Sequence, residues 1–399
     1  MISEILLRCH NIPEIDTIDV YLRHGGYQAI AKAARLGPRE IIEQVRKSGL
    51  RGRGGAGFPT ASKWDAVQSQ ERKPHYFICN IAEGEPGSFK DRELMKNPHM
   101  VLESTAIAAF AVGAEKAFLF LRGIFSEEEE HLKRASVAAR NHKFLGKDGM
   151  LGVELVVHRG EDSYIAGEET AMIESLEGKP AIPRVKPPRP HESGLWECPT
   201  VVNNVETICN VIPILMQGPE SFRKLGTPES PGTKLFCLSG QIRKPGVFEC
   251  PLGIRLSALL HDVGGGPLPG RQFVAIFPGG PSTPIVPVEF DPSMDFESLQ
   301  KVGSHLGTGG VIVIDDSSDL RQVAVQTLSF FMHESCGVCP PCFIGTQELH
   351  KLFQMQHSDI LKIREFCEMM KYRGQCAHSR AAALTSLSFL NQFPQIFHT

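Results

Sequence analysis

Three cysteines stand two residues apart in Cys336-Gly-Val-Cys339-Pro-Pro-Cys342, and a fourth, Cys376, follows a further helical stretch. A short loop interrupted by Gly and Pro turns three such thiolates toward one point. A remote fourth then completes the ligand set of a [4Fe-4S] cluster. Zinc takes four ligands of the same kind, but structural zinc sites usually draw them from two separated pairs rather than three from one loop. Reduced core cysteines are the remaining reading. Cys367 lies within the helical pattern Ile363 to Met370 and is the runner-up fourth ligand. His378, although close to Cys376, is read as solvent-facing, because no second metal ligand stands at motif spacing from it.

A second feature is Gly52-Arg53-Gly54-Gly55-Ala-Gly57, which matches G-x-G-x-x-G. A dinucleotide fingerprint needs a strand directly before it. Here the amphipathic helix Pro38 to Gly49 precedes, so the loop fails that test. Its glycines still let backbone N–H groups approach a phosphate or a planar ring, with a plain surface turn as the structural alternative. Two acidic clusters follow. Asn80-Ile-Ala-Glu83-Gly-Glu85 comes after an apolar strand, where ligand-contacting groups of open α/β sheets collect. Glu168-Glu169 precedes a helix, Ala171 to Glu177, where carboxylates also serve as caps.

The elements that must position these groups alternate in type. Residues 13 to 49 read as helical. Strands are expected at His75–Asn80, Ala117–Arg122 and Val153–His158, with a long helix over 92–114 and a charged one over 126–141 between them. That alternation implies a mainly parallel sheet covered on both faces. After the Pro-rich stretch 180–199 the texture changes to short strands at 233–239, 273–277 and 310–315, broken by Pro-Gly and Gly-Gly turns. From about 320 the spacing is helical again, with the cysteine loop between helices. The expected division is 1–232, 233–316 and 317–399.

Composition bounds the function. A net charge of −3 over 399 residues argues against nucleic acid as a partner. No window approaches 18 uncharged apolar residues, and the N-terminus lacks the apolar core of a signal peptide. Direct membrane insertion is therefore not expected. Eleven cysteines, an odd number and seven of them scattered, fit a reducing compartment, so a cytoplasmic protein is expected, docked on the inner face of a membrane only through partners.

Taken in order, six stretches resemble one family. They are Ser48-Gly-Leu-Arg-Gly-Arg-Gly-Gly-Ala-Gly-Phe-Pro-Thr60 with Lys63-Trp64; Glu83-Gly-Glu-Pro-Gly87 with Lys90-Asp-Arg92; Tyr164-Ile-Ala-Gly-Glu-Glu-Thr170; Lys186-Pro-Pro188; Val201-Val-Asn-Asn-Val-Glu-Thr207; and the cysteine loop. Nearly the whole chain resembles the NADH-binding 51-kDa flavoprotein subunit of respiratory complex I and the diaphorase subunits of NAD-linked hydrogenases and formate dehydrogenases. The resemblance implies an α/β fold: a Rossmann-like FMN-binding domain, a ubiquitin-like β-grasp domain and a C-terminal helical bundle carrying the cluster. It implies that Gly52, Arg53, Gly54, Gly55 and Lys63 hold FMN, with Asn80, Glu83, Tyr164, Glu168, Asn203 and Asn204 around it. Phe58, Glu85, Glu169 and Lys186 would meet NADH, Glu85 and Glu169 being the residues assigned to the catalytic site.

The implied activity is that of an NADH dehydrogenase: hydride from NADH to FMN, then single electrons to the cluster and on to partners. Those partners would be a thioredoxin-like [2Fe-2S] subunit and a larger multi-cluster subunit. The chain departs from the family where substrate should bind. Ala66 and Arg189 stand where aromatics are usual, Ala82 replaces an Asp, Asp162 a Gly and Phe343 an Arg, and the fourth cysteine comes early. Arg189 could pair with a 2′-phosphate, which keeps NADPH open as donor. Reverse flow, reducing NAD within a hydrogenase or formate dehydrogenase, is a second alternative. A relay subunit that binds no nucleotide is the third. The β-grasp domain shows no cluster of catalytic type and is expected to be a structural or docking module.

Overall fold

The computed structural model describes residues 5–355 and 357–397. Four apolar segments, β1 (His75–Ile81), β2 (Ala114–Leu121), β3 (Glu154–Arg159) and β4 (Thr200–Asn204), pair in the order β3-β2-β1-β4, all parallel. β1 lies inside the sheet and is apolar along nearly its whole length, because both of its faces are covered. One face packs on the helix Pro98–Ala111, which is buried almost all round. The other is covered by the short helix Glu169–Leu176 and the segment around Leu195.

The expected helix over 92–114 is two helices, Lys90–Met95 and Pro98–Ala111. Pro98 has no N–H to continue the first helix, and the Asn97 side chain restarts the second by accepting from Met100 N at 3.2 Å. Glu103, buried inside the second helix, ties the N-terminal segment down: it accepts from Tyr21 Oη at 2.6 Å and from the backbone N–H groups of Tyr27 and Ile30 at 2.9 Å.

The second sheet contains β5 (Thr233–Gly240), β6 (Gly246–Pro251), β7 (Phe273–Phe277), β8 (Val286–Pro287) and β9 (Gly310–Asp315), ordered β6-β5-β9-β7-β8. β5 and β9 run parallel and the other pairs antiparallel, the mixed arrangement expected of a β-grasp unit. One face of this sheet has its own core around Phe236, Leu259 and Val311. The other contributes Ala275, Phe277 and Ile314 to the core of four helices, Leu320–His333, Pro340–Gln354, Ile360–Arg373 and Ala377–Gln392. Among the described residues no helix is long and apolar enough to cross a membrane.

The two sheets meet across buried charge. Lys90 Nζ lies 2.9 Å from Asp91, 3.0 Å from Glu83 and 3.7 Å from Glu206, and Glu206 in turn pairs with Lys234 on β5 and accepts from Leu235 N at 2.8 Å. A second buried carboxylate, Glu249 on β6, reaches back to the N-terminus and accepts from the N–H groups of Ile5, Leu6 and Leu7 at 2.8, 2.8 and 3.1 Å.

Burial pushes the Glu249 carboxyl up to about 7 despite its donors. A carboxyl raised on folding takes up protons as the chain folds. Its stabilising contribution is therefore complete below about pH 4.5 and lost as pH rises through about 7. A shift of that size is worth on the order of 3 kcal/mol. Glu249→Gln should flatten the fall of the melting temperature between pH 5 and pH 8; an unchanged slope would place the titration elsewhere.

Candidate functional site

The carboxyl ends of β1 and β4 carry Asn80 and Asn204, which are register partners. Asn80 donates to Gly167 O at 3.0 Å and accepts from Ala82 N at 2.9 Å, while Asn204 caps the next helix by accepting from Glu206 N at 3.1 Å. The glycine loop lies directly on these ends: a Cβ on Gly54 would come within 2.9 Å of Asn204 Cβ. Above them opens a cavity of about 680 Å³, within the range of small-molecule sites. It gathers Gly54, Gly55, Asn80, Glu83, Glu85, Tyr164, Glu168 and Asn204 from the expected set.

The carboxylates have distinct settings. Glu85 is buried, accepts from Tyr164 Oη and Ser282 N at 2.8 Å each, and is nonetheless pushed up to about 7 by burial. Glu83 is held by Lys90, with one of its oxygens left without a partner. Glu168 caps the helix Glu169–Leu176, accepting from Thr170 N at 2.8 Å and Ala171 N at 3.0 Å, so the capping role is real. It still lines the cavity. Burial raises the Glu169 carboxyl, but Lys63 at 3.5 Å and Lys186 at 2.7 Å outweigh it and hold the group below its ordinary value.

Other expected residues stand outside the cavity wall. The Lys63 ammonium donates to Val202 O at 3.1 Å, and Asn203 accepts from the Trp64 indole at 2.8 Å. Gly52 donates its N–H to Phe58 O at 2.9 Å, shaping the loop rather than lining the cavity. Phe58 is 51% exposed on the same loop, free to stack on a ligand. The Arg53 side chain points away from the cavity. Its guanidinium is wholly buried and donates to Thr233 O, Arg51 O and Pro231 O at 3.1, 3.2 and 2.7 Å. Burial lowers it to about 10. It bolts the loop to β5. Asp162, where the family has Gly, pairs with Arg122 at 2.6 Å. Arg189 is exposed outside the cavity, with its backbone N–H on Glu192.

The sequence reading left out the wall supplied by the second sheet: Ser282, Thr283, Phe296 and the segment 305–308 all line the cavity. To the structural or docking role expected of this domain is added a share of the cavity wall. A signal was present in Pro278-Gly-Gly280. Gly280 has φ +89°, and a Cβ on it would fall 2.4 Å from Glu85 Oε1, so glycine is required for the second sheet to close on that carboxylate.

Cys336, Cys339, Cys342 and Cys376 line one small cavity together with Ile165, Pro183, Gln375 and His378. Gly337 at φ +75° turns the loop, and Cys339 precedes a helix that starts at Pro340. The Cys342 thiol is pushed up to about 12, first by burial and then by the nearby charges of Cys339, Cys376 and Cys336, which marks how closely the four sulfurs converge. Four cysteine thiols around one small cavity are the donor set that a [4Fe-4S] cluster takes. Cys367 is buried in the helical core and lines neither cavity. His378 is 4% exposed, which corrects its expected solvent-facing position: its ring packs against Tyr164, Phe330 and Phe331, and burial holds it below its ordinary value.

Comparison with known proteins adds three independent findings. Residues 45–213 match the Nuo51 FMN-binding domain, residues 322–399 the NADH-ubiquinone oxidoreductase-F iron-sulfur binding region and residues 235–286 the SLBB domain. The chain is 44% identical to the second F-type subunit of the NADH-quinone oxidoreductase of Rhizobium meliloti (strain 1021), over 98% of this chain and 96% of that one. It is 44% identical to the F-type subunit of the NADH-quinone oxidoreductase of Aquifex aeolicus (strain VF5), over 88% and 82%. Among solved structures, an NAD+-reducing [NiFe]-hydrogenase in the H2-reduced state superposes with a TM-score of 0.84 at 35% identity, covering 94% of this chain but 64% of that one.

The bolt formed by Arg53 makes a measurable distinction. Arg53→Ala takes this donor from three carbonyls, two of them buried, and opens a void, so the unfolding free energy of the protein without added flavin should fall by about 2–4 kcal/mol in urea. A loss below about 0.5 kcal/mol, the level of an ordinary surface substitution, would return Arg53 to the set of ligand-binding side chains.

Proposed function

This chain belongs to the family of F-type subunits of NADH-quinone oxidoreductases, and we propose that it works as the NADH dehydrogenase flavoprotein subunit of a multi-subunit electron-transfer complex. The observation that carries the reading is the adjacency of the two cavities: Cys376, one of the four clustered cysteines, also lines the 680 Å³ cavity. A two-electron site and a one-electron site would thus share a wall.

The residues present fit FMN. Gly55 leaves open space for close backbone approach, Asn80 and Asn204 stand at the strand ends, and Glu83 carries a buried oxygen that lacks a donor. Phe58, Glu85, Glu169 and Lys186 would receive the dinucleotide, Phe58 by stacking and the carboxylates by accepting ribose or carboxamide hydrogen bonds. Bound FMN supplies the hydride acceptor and the cluster the single-electron relay, so no side chain has to act as acid or base in the transfer. The protein's task is alignment and exclusion of water. Tyr164 serves both ends: its hydroxyl holds Glu85, and its backbone N–H donates at 3.0 Å to Glu334, two residues before Cys336.

Electrons would leave through an iron–sulfur partner, in line with the thioredoxin-like [2Fe-2S] and multi-cluster subunits that the family resemblance implies, and attachment to a membrane would come through such partners. A second reading, reduction of NAD by electrons from a hydrogenase-type partner, is favoured by the likeness to the NAD+-reducing hydrogenase.

Anaerobic stopped-flow mixing of FMN- and iron-reconstituted protein with NADH should bleach the flavin band much faster than NADPH does. Failure of both nucleotides to reduce a bound flavin would sink the dehydrogenase reading. For the metal site, Cys376→Ala should remove the cluster's visible absorbance and most of the bound iron, whereas Cys367→Ala should keep both. The reverse result would move the fourth ligand to Cys367.

A further inference from the structure

Two arginines line the large cavity, and they are used differently. Arg51 is engaged, pairing with Glu297 and donating to Gly57 O at 2.8 Å. Arg380 is exposed, and among the described residues its guanidinium meets no acid and makes no hydrogen bond. It stands in the first turn of the helix Ala377–Gln392, where the helix dipole adds positive potential. His305, on the segment before β9, lines the same cavity. Partial burial, and after it the positive charge of Arg380, hold the His305 imidazole below its ordinary value, which puts the two basic groups within electrostatic reach of each other.

The acids that line the cavity are committed elsewhere. Glu83 is held by Lys90, Glu85 by Tyr164 Oη and Ser282 N, and Glu168 by Lys186 and by the helix it caps. An anion for Arg380 must therefore arrive with a ligand. A guanidinium fork beside an imidazole suits a phosphate group, since the fork can donate to two oxygens and the ring to a third. The packing of this wall indicates which ligand brings the phosphate. The segment 305–308 lies on 279–283: a Cβ on Gly307 would fall 2.7 Å from Thr283 Cγ2, and Thr308 Oγ1 donates to Gly279 O at 3.3 Å. That same segment supplies Ser282 N to Glu85, a residue read above as meeting the dinucleotide. The glycine loop and the strand-end asparagines read as the flavin site come from the domain of the first sheet. We propose that Arg380 and His305 form an anion subsite of the large cavity that binds a phosphate group of the nicotinamide dinucleotide. This inference rests on the reading of that cavity as the site of FMN and NADH.

The test is a calorimetric titration of the full chain, loaded with FMN and iron, with NAD+ and separately with NADP+. Arg380→Gln should weaken binding about tenfold, the scale of one charge-assisted hydrogen-bonded contact. Arg380→Lys, which keeps the charge without the fork, should recover part of the loss, and His305→Gln should weaken binding in the same direction. Added salt should cost the wild-type protein more affinity than it costs Arg380→Gln. Flavin retention and the cluster's visible absorbance should be unchanged in all three variants, which a general loosening of the cavity would not allow. Equal losses for both dinucleotides would assign the subsite to the pyrophosphate, and a loss for NADP+ alone to the 2′-phosphate; either result upholds it. If Arg380→Gln binds both dinucleotides as tightly as the wild type, Arg380 is a solvated side chain and the proposal is overturned, with the dehydrogenase reading intact. If the variant instead loses FMN while retaining riboflavin normally, the subsite belongs to the flavin phosphate and the proposal is likewise overturned. If the wild-type protein binds neither dinucleotide, the reading of the large cavity fails first, and this inference falls with it.

Discussion

Lys90 and Lys234 are sealed from solvent together with Glu83, Asp91 and Glu206 where the two sheets meet. Removing such ions from water costs several kcal/mol each, and only close opposite charge and further hydrogen bonds offset it. The arrangement is therefore intolerant of partial assembly. Lys90 comes from the segment after β1, Glu206 from the helix after β4, and Lys234 from β5. Each element must be in place before the others are neutralised. Burial, and after it the Glu83 carboxylate nearby, push the Asp91 carboxyl above its ordinary value.

The cavity follows from this junction. Glu83 belongs both to the buried cluster and to the cavity wall, so the charge network holds the strand ends where ligand groups converge. The second sheet closes the opposite side through Ser282 N, which grips Glu85. The glycine loop is held from behind by Arg53 and from the side by Arg51, whose guanidinium stacks 4.2 Å from the centre of the Phe296 ring and pairs with Glu297. A loop of glycines would otherwise be mobile. Here its flexibility is spent on close approach, and long side chains supply the rigidity.

The helical unit joins the same assembly through Tyr164 and His378. Tyr164 touches Glu85, Glu334 and the His378 ring, and His378 touches the carbonyl of Phe331 at the end of the helix before the cysteine loop. Glu85 in the wall of the large cavity and the segment leading into the cysteine loop are thus connected through Tyr164 and His378. A displacement at either end reaches the other with little slack, because packed interiors yield in steps rather than continuously.

Local chemistry made much of this legible in the sequence. Strand periodicity and Gly and Pro punctuation located the strands at 273–277 and 310–315 to the residue, since those preferences act over a few neighbours. The cysteine spacing announced a metal site for the same reason. Ordered motifs identified the family and, with it, the cofactors. Other features were decided by contacts between residues far apart in the chain. Arg53 stands in a loop that the family resemblance assigns to FMN, yet its guanidinium meets the carbonyls of residues 231 and 233. His378 reads as a surface residue until the 320–333 helix covers it. The second sheet reads as a bystander until Gly280 lets it close on Glu85. Sequence determined which chemistry the chain carries. Tertiary structure alone decided which side chains face the cavity and which are consumed in holding it open, because desolvation and hydrogen-bond satisfaction depend on every neighbour in space.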